Sequence, residues 1–368
     1  MICINPYRKL MLGWLCLFIF WGSGLHPSVA AQVKKLSILF TDGFKGRLRS
    51  DAFYLGLDAF ETPIRQCQSQ IGADRLITFD LGNSIAPFYL SRMDTGQSML
   101  NLLTSMGYDA MVPGNYEFEY GTDFFQSDAK GDESLPLLCA NLFRSDGEPF
   151  FSPYRILERG GLKVAILGIM DDEMRKQILD ENFTELRIVE PLSILKGIIP
   201  QVQRQSDLII LMSNFPYEKN LELAHQIRGI DLIVGRQGMR FPNQRTEVRT
   251  PTGQDNHENR TFVVTAGDYL GKIDLEWSNQ KLDIVSFQRV KVKAPIKQSA
   301  ELTNRVEVLE GLFRDYCLRR YGRHPDETLY YFPPQISEDD FARFVLYVML
   351  SGTHSELGLI HSAHFGFS

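Results

Sequence analysis

The stretch Gly114-Asn115-Tyr116-Glu117-Phe118-Glu119-Tyr120-Gly121 decides how this chain is read. It lies just beyond Ala110 to Val112, a short β-rich run, and Met106-Gly107-Tyr108-Asp109-Ala110 leads into it. Upstream, Gly96 to Met106 carries apolar residues at helical spacing, and Gly107 falls where a helix C-cap sits. Helix, glycine stop, strand and polar loop is the wiring of an α/β domain, and it recurs from Leu36 to about Val292. Strands are expected at Leu36 to Thr41, Leu76 to Asp80, Ala110 to Val112, Leu162 to Ile169, Asp207 to Leu211, Asp231 to Val234 and Phe262 to Thr265. Tyr217 to Ile227 has helical spacing, with Gly229 beyond it. Several strand-like runs end in Gly, Asn, Asp or Ser, and in open α/β sheets the chemistry gathers in the loops beyond the strand ends.

Outward from this core, Ala300 to Arg320 reads as a longer helix with Leu302, Val306, Leu309, Leu312 and Phe313 on one face. It is the expected connector out of the first domain. After Pro333-Pro334, a helical run from Asp339 to Leu350 leads to Leu357-Gly358-Leu359-Ile360-His361-Ser362. At the other end, Arg8 and Lys9 precede an apolar run from Leu10 to Phe20, followed by Pro27-Ser28-Val29-Ala30-Ala31. That is the pattern of a cleaved signal peptide over 1–31. The alternative is an uncleaved anchor, but the apolar run is short of the ~20 residues that span a bilayer. A periplasmic or secreted location without a stable membrane span is expected.

The 368 residues exceed what one compact core usually holds, so a large domain and a smaller unit are expected. A net charge of -6 with no Lys/Arg-rich stripe argues against a nucleic-acid partner held by phosphate neutralisation. Cys67, Cys139 and Cys317 remain after the leader. An odd number cannot pair completely, and their separation matches no zinc motif, so buried thiols with at most one disulfide are expected. His354, His361 and His364 cluster near the C-terminus, but no carboxylate or Cys spacing accompanies them as a metal site requires.

Four loop segments together resemble the 5'-nucleotidase family of calcineurin-like metallophosphoesterases. The family's Thr-Asn-Asp-x-His-Gly-Arg is matched by Thr41-Asp42-Gly43-Phe44-Lys45-Gly46-Arg47, with the metal-binding Asp and His replaced by Gly43 and Lys45. Sliding the register puts Asp42 in the Asp position, with no histidine to follow. The family's Asp-x-Gly-Asp appears as Asp80-Leu81-Gly82-Asn83, turning the metal-bridging carboxylate into an amide. Gly114 to Gly121 matches Gly-Asn-His-Glu-Phe-Asp-Tyr-Gly, retaining the ligand Asn115 and placing Tyr116 at the family's catalytic His position. Ser213-Asn214 stands for Ser-His, and Gly235-Arg236-Gln237-Gly238-Met239 for Gly-Gly-His-Ser-His. Three further His ligands are thereby Asn214, Gln237 and Met239.

The resemblance implies a four-layer αββα sandwich over 32–295, a linker helix over 296–324 and, from 325–368, the start of a second α/β domain. Leu359 to Gly366 looks like the first strand of the family's substrate-binding domain. The expectation is that this domain is truncated, by a frameshift, by the boundary at which the expressed gene was cut, or by an in-frame stop codon that the organism reads as an amino acid. The family uses divalent metals such as Mn and Zn, whose dinuclear centre needs carboxylate and imidazole ligands to acidify a bridging water and clamp a phosphoryl group. With those ligands replaced, no cofactor is expected, Asn115 being the one retained ligand. Two readings of the pocket follow. In one, Lys45 and Arg236 are solvated surface residues on a drifted site. In the other, Lys45, Arg47, Asn83, Asn115, Asn214, Arg236 and Gln237 form a metal-free cleft for an anionic small molecule. The expected function is thus a degenerate relative, a pseudoenzyme that binds an anion or an envelope protein. The alternative is an active hydrolase of nucleotides or of another phosphate or sulfur ester, with Tyr116 or Lys45 recruited for proton transfer.

Overall fold

A computed structural model describes residues 33–51, 54–123, 125, 134–236, 245–251, 258–265, 270–293 and 298–327. The expected leader, Gln237, Met239, the three C-terminal histidines and the expected second-domain strand lie outside the described residues. Strand β1 (Lys34–Thr41) is followed by helix α1 (Leu57–Ile71), β2 (Leu76–Asp80), α2 (Gln97–Ser105) and β3 (Ala110–Met111). The three strands pair in parallel, Thr41 opposite Asp80 and Asp80 opposite Met111, so the ends of all three lie along one edge. The hairpin of β12 (Leu270–Ser278) and β13 (Lys281–Val290) completes the sheet in the order β13-β12-β1-β2-β3.

The second half repeats the logic. Strands β5 (Tyr154–Arg159), β6 (Leu162–Ile169), β8 (Leu208–Ser213), β9 (Leu232–Gly235), β10 (Arg245–Pro251) and β11 (Glu258–Thr265) form a sheet ordered β10-β11-β9-β8-β6-β5. Its four central strands are parallel, with Ser213 opposite both Ile169 and Gly235 and Thr265 opposite Gly235. Helices α3 (Pro191–Val202) and α4 (Tyr217–Gln226) form the crossovers, and β4 (Leu142–Arg144) pairs with β7 (Leu186–Ile188) in a small separate ladder.

Strand alternation explains the layering. Ile38, Phe40, Ile77 and Phe79 point inward from the first sheet to meet Val164, Ile166, Ile210, Met212 and Val234 from the second, forming one apolar core between the sheets. The alternate residues Leu167, Ile209, Leu211 and Ile233 face outward against Leu195, Ile199 and Val202 of α3 and Leu223 and Ala224 of α4. On the other outer face, Cys67 of α1 lies near Lys272 and Asp274 of β12. The expected α/β sandwich of four layers is the observed architecture. Inside it, Gly168 lets two segments touch, since a Cβ there would stand 1.9 Å from the Leu138 carbonyl oxygen.

The chain divides into two compact units, Met1–Glu310 and Gly311–Ser368. The division falls inside α5 (Ala300–Tyr321), the expected connector. Leu302, Val306 and Leu309 are buried, but Leu312 is 43% exposed. The stripe 302, 306, 309 and 313 follows the 3.6-residue period, and Leu312 falls off it. In the second unit, α5 stops at Gly322, whose left-handed φ of 67° and N–H to the Leu318 carbonyl (2.9 Å) form a helix end. Five of the seven expected strands differ at their ends: β1 begins at Lys34, β3 ends at Met111, β8 runs Leu208 to Ser213, β9 runs Leu232 to Gly235, and β11 begins four residues early at Glu258. Helices α1 and α3 carry internal prolines, Pro63 and Pro200, and were not expected from the pattern. Among the described residues, Cys67, Cys139 and Cys317 are free and buried, and no helix is long and apolar enough to cross a membrane.

Candidate functional site

The polar loops at the strand ends are stitched together by backbone hydrogen bonds. After β1 and β2, Gly43 N–H donates to Gly82 O (2.9 Å), Lys45 N–H to Asn83 O (2.9 Å) and Gly46 N–H to Ser84 O (2.7 Å). The ladder forces two non-glycine residues into the left-handed region, Lys45 at φ 54° and Asn83 at φ 57°. Left-handed backbone costs a residue with a Cβ roughly 1 kcal/mol, and such strain concentrates where geometry is held for function.

Glu117 holds the strained loop in place. It is fully buried, and its carboxylate accepts the backbone N–H groups of Gly114 (2.6 Å), Asn83 (2.7 Å), Ser84 (2.7 Å) and Ile85 (3.1 Å). One side chain thus joins the loop after β2 to the turn Asn115–Phe118 after β3. Burial raises its pKa, against the lowering effect of the four amides. Asp80 is the second buried acid. It accepts from Thr41 Oγ1 (2.6 Å), Ser84 Oγ (2.7 Å) and Gly82 N–H (2.9 Å), and Thr41 Oγ1 also lies 3.0 Å from the Tyr108 hydroxyl. Burial pushes the Asp80 carboxyl up to about 8 despite those donors.

The sequence-derived residues fall around this frame. Asn83 is buried, and its Oδ1 accepts weakly from the Tyr116 N–H at 3.4 Å. Asn115 and Tyr116 open the turn after β3 and are partly exposed. Lys45 is exposed, and its ammonium makes no hydrogen bond or ion pair among the described residues. Arg47 sits at the rim, ion-paired to Asp51 (2.9 Å) with its guanidinium over the rings of Tyr54 (4.2 Å) and Phe88 (4.7 Å). Its charge and both faces are thus already matched. Asn214 leaves β8 fully buried and donates its Nδ2 to Leu81 O (2.5 Å), tying the second sheet to the first. Arg236 leaves the neighbouring β9 with its Nε 3.4 Å from Asp42 Oδ1.

The Arg236–Asp42 pair is what the sequence reading missed. Asp42 entered it only as a register alternative, and Arg236 as a free cation. Their charges complement each other, but their proximity follows from sheet topology, which brings the ends of β1 and β9 together. Glu117 and Asp80 were quoted in motifs without a role, for the same reason: their partners are backbone amides supplied by other loops.

A dinuclear metal centre does not fit these residues. Neutral amides, Gly43 and a lysine occupy positions that need anionic or imidazole donors, a guanidinium already neutralises Asp42, and the carboxylates of Asp80 and Glu117 are taken up by hydroxyl and backbone donors. Among the described residues, no group of three His, Cys, Asp or Glu side chains converges as a metal site would require.

The two packed mixed sheets and the loop cluster at their edge have the fold of solved calcineurin-like phosphoesterases. The chain is similar in fold to calcineurin-like phosphoesterase YfkN from Bacillus subtilis, with a TM-score of 0.61 at 19% identity, covering 77% of this chain and 99% of that one. In sequence, the chain is similar to 5'-nucleotidases. The chain is 25% identical over 332 residues to a 5'-nucleotidase of Vibrio cholerae, covering 80% of this chain and 58% of the relative. It is 26% identical over 298 residues to protein UshA of Escherichia coli, covering 73% and 54% respectively. It therefore spans a little over half the length of these curated relatives. No family model matches the chain.

Proposed function

We propose that this chain is a 5'-nucleotidase-like pseudoenzyme of the cell envelope in which a metal-free anion site stands in place of the dinuclear centre. The observation that carries the reading is the Arg236–Asp42 pair, which sets a fixed guanidinium among the loops where the family resemblance puts metal ions. Removing ligand carboxylates also removes the cost of holding like charges together without a metal, several kcal/mol per unpaired buried ion. Lys45, held in a strained conformation with no partner among the described residues, supplies a second cation. Lys45 supplies the charge that binds the anion, Arg236 adds N–H donors from beside Asp42, Asn83 and Asn115 line it with amides, and Glu117 holds the loops that carry them.

The test is titration calorimetry of the full chain with inorganic phosphate, repeated on Arg236→Ala. Saturable binding weakened at least about tenfold by the substitution, as expected for loss of a charge-assisted contact, supports the reading. No binding to the wild-type protein sinks it. A second reading, an active phosphoester or sulfur-ester hydrolase, is favoured by the enzyme name of the Vibrio cholerae relative and by the retained Asn115. It predicts metal-dependent turnover.

A further inference from the structure

Two buried polar atoms at the head of the second sheet have no hydrogen-bond partner that fits them. Ser213 and Gly235 are paired across β8 and β9, so Asn214 and Arg236 leave adjacent strands side by side. The Asn214 amide is fixed in orientation: its Nδ2 donates to the Leu81 carbonyl, and a flip would set two carbonyl oxygens against each other. Its Oδ1 is consequently an acceptor that meets no donor, although the residue is 0% exposed. Beside it, Arg236 Nε is buried with no hydrogen-bond acceptor, its contact with Asp42 being an ion pair at 3.4 Å. Buried polar atoms are nearly always hydrogen-bonded, and each exception calls for an explanation, a bound water, ion or ligand among them.

The two orphans differ in kind, one needing a donor and the other an acceptor. A hydroxyl group supplies both. A metal cation would meet the Asn214 oxygen but be repelled by Arg236, whereas an oxyanion without a proton would meet Arg236 but set its lone pairs against Asn214 Oδ1. A neutral alcohol carries the O–H but has no charge for Lys45 to recognise. Resting on the anion-site reading above, we infer that the site selects an oxyanion that keeps an O–H, namely hydrogen phosphate rather than sulfate, and that Asn214 is the residue that discriminates. The Arg236 side chain, 34% exposed, gives the ligand its route to the buried pair.

The experiment is calorimetric titration of the full chain at about pH 7, where inorganic phosphate retains a proton and sulfate has none, with the two anions at matched ionic strength. The expected result is sulfate binding at least about tenfold weaker than phosphate, the cost of facing an acceptor with an acceptor. In Asn214→Leu, which keeps the shape and removes the acceptor, the two affinities converge to within about threefold. Equal binding of both anions to the wild-type protein overturns this inference and leaves the anion site standing. Binding of neither overturns both. Should Asn214→Leu fail to fold, the wild-type comparison still decides.

Discussion

Replacing Glu117 by Gln perturbs the loop frame with the least change of shape. The carboxylate accepts four backbone N–H groups, two on each oxygen. An amide keeps one oxygen, and its NH2 then faces two of the donors it replaces. Each stranded N–H in this fully buried position costs about 1–3 kcal/mol, a gross loss of roughly 2–6 kcal/mol. Part is offset, because burial penalises the charged carboxylate and raises its pKa. A net loss of about 2–4 kcal/mol is expected, which for a unit of this size lowers the melting temperature by roughly 4–12 °C. The assay is urea denaturation at neutral pH with a parallel thermal scan. Because Asn83 hangs from the same clamp, phosphate affinity should fall in the same variant at temperatures where it remains folded. A stability change below about 1 kcal/mol would refute the claim that Glu117 holds these loops.

Asp80 supplies a pH signature. Its folded-state pKa is raised to about 8 from an ordinary value of 3.8, chiefly by burial, so the protonated form is favoured by folding. The stabilising contribution is complete below about pH 4 and is lost as pH rises through about 8. Asp80→Asn should therefore gain on the wild-type protein by a few kcal/mol between about pH 5 and 8.5, measured as the difference in unfolding free energy, and a constant difference would contradict this. Gly168→Ala drives a methyl group to 1.9 Å from the Leu138 carbonyl oxygen and should cost about 2–4 kcal/mol, read as a shifted denaturation midpoint. Cys139, fully buried with its thiol pushed up to about 12, should resist alkylation by a maleimide until the protein unfolds.

The fold was legible because its signals are local. Runs such as Leu162 to Ile169 are apolar and bounded by turn residues, and the expected strands form with ends shifted by at most two residues, except β11, which begins four residues early. Helix α1 escaped because Pro63 interrupts its pattern, and α3 because Pro200 does the same near its end. The hairpin strands β12 and β13 went unnamed although Ile273, Leu275 and Trp277 alternate with Asp274, Glu276 and Ser278 along β12. The site was legible in position but not in wiring. Asn83, Asn214 and Arg236 could be named from motif matches, whereas nothing along the chain says that Arg236 meets Asp42, nearly two hundred residues away. Nor does anything local say that Arg47 is held by Asp51, Tyr54 and Phe88, although Asp51 stands four residues on.

The most direct test of the central claim is elemental analysis of the purified protein after incubation with Mn²⁺ and Zn²⁺, with turnover of nucleoside monophosphates assayed in the same samples. The Arg236–Asp42 pair and the neutral amides predict far less than one metal ion per chain and no metal-dependent turnover. Near-stoichiometric metal with metal-dependent hydrolysis would contradict the account.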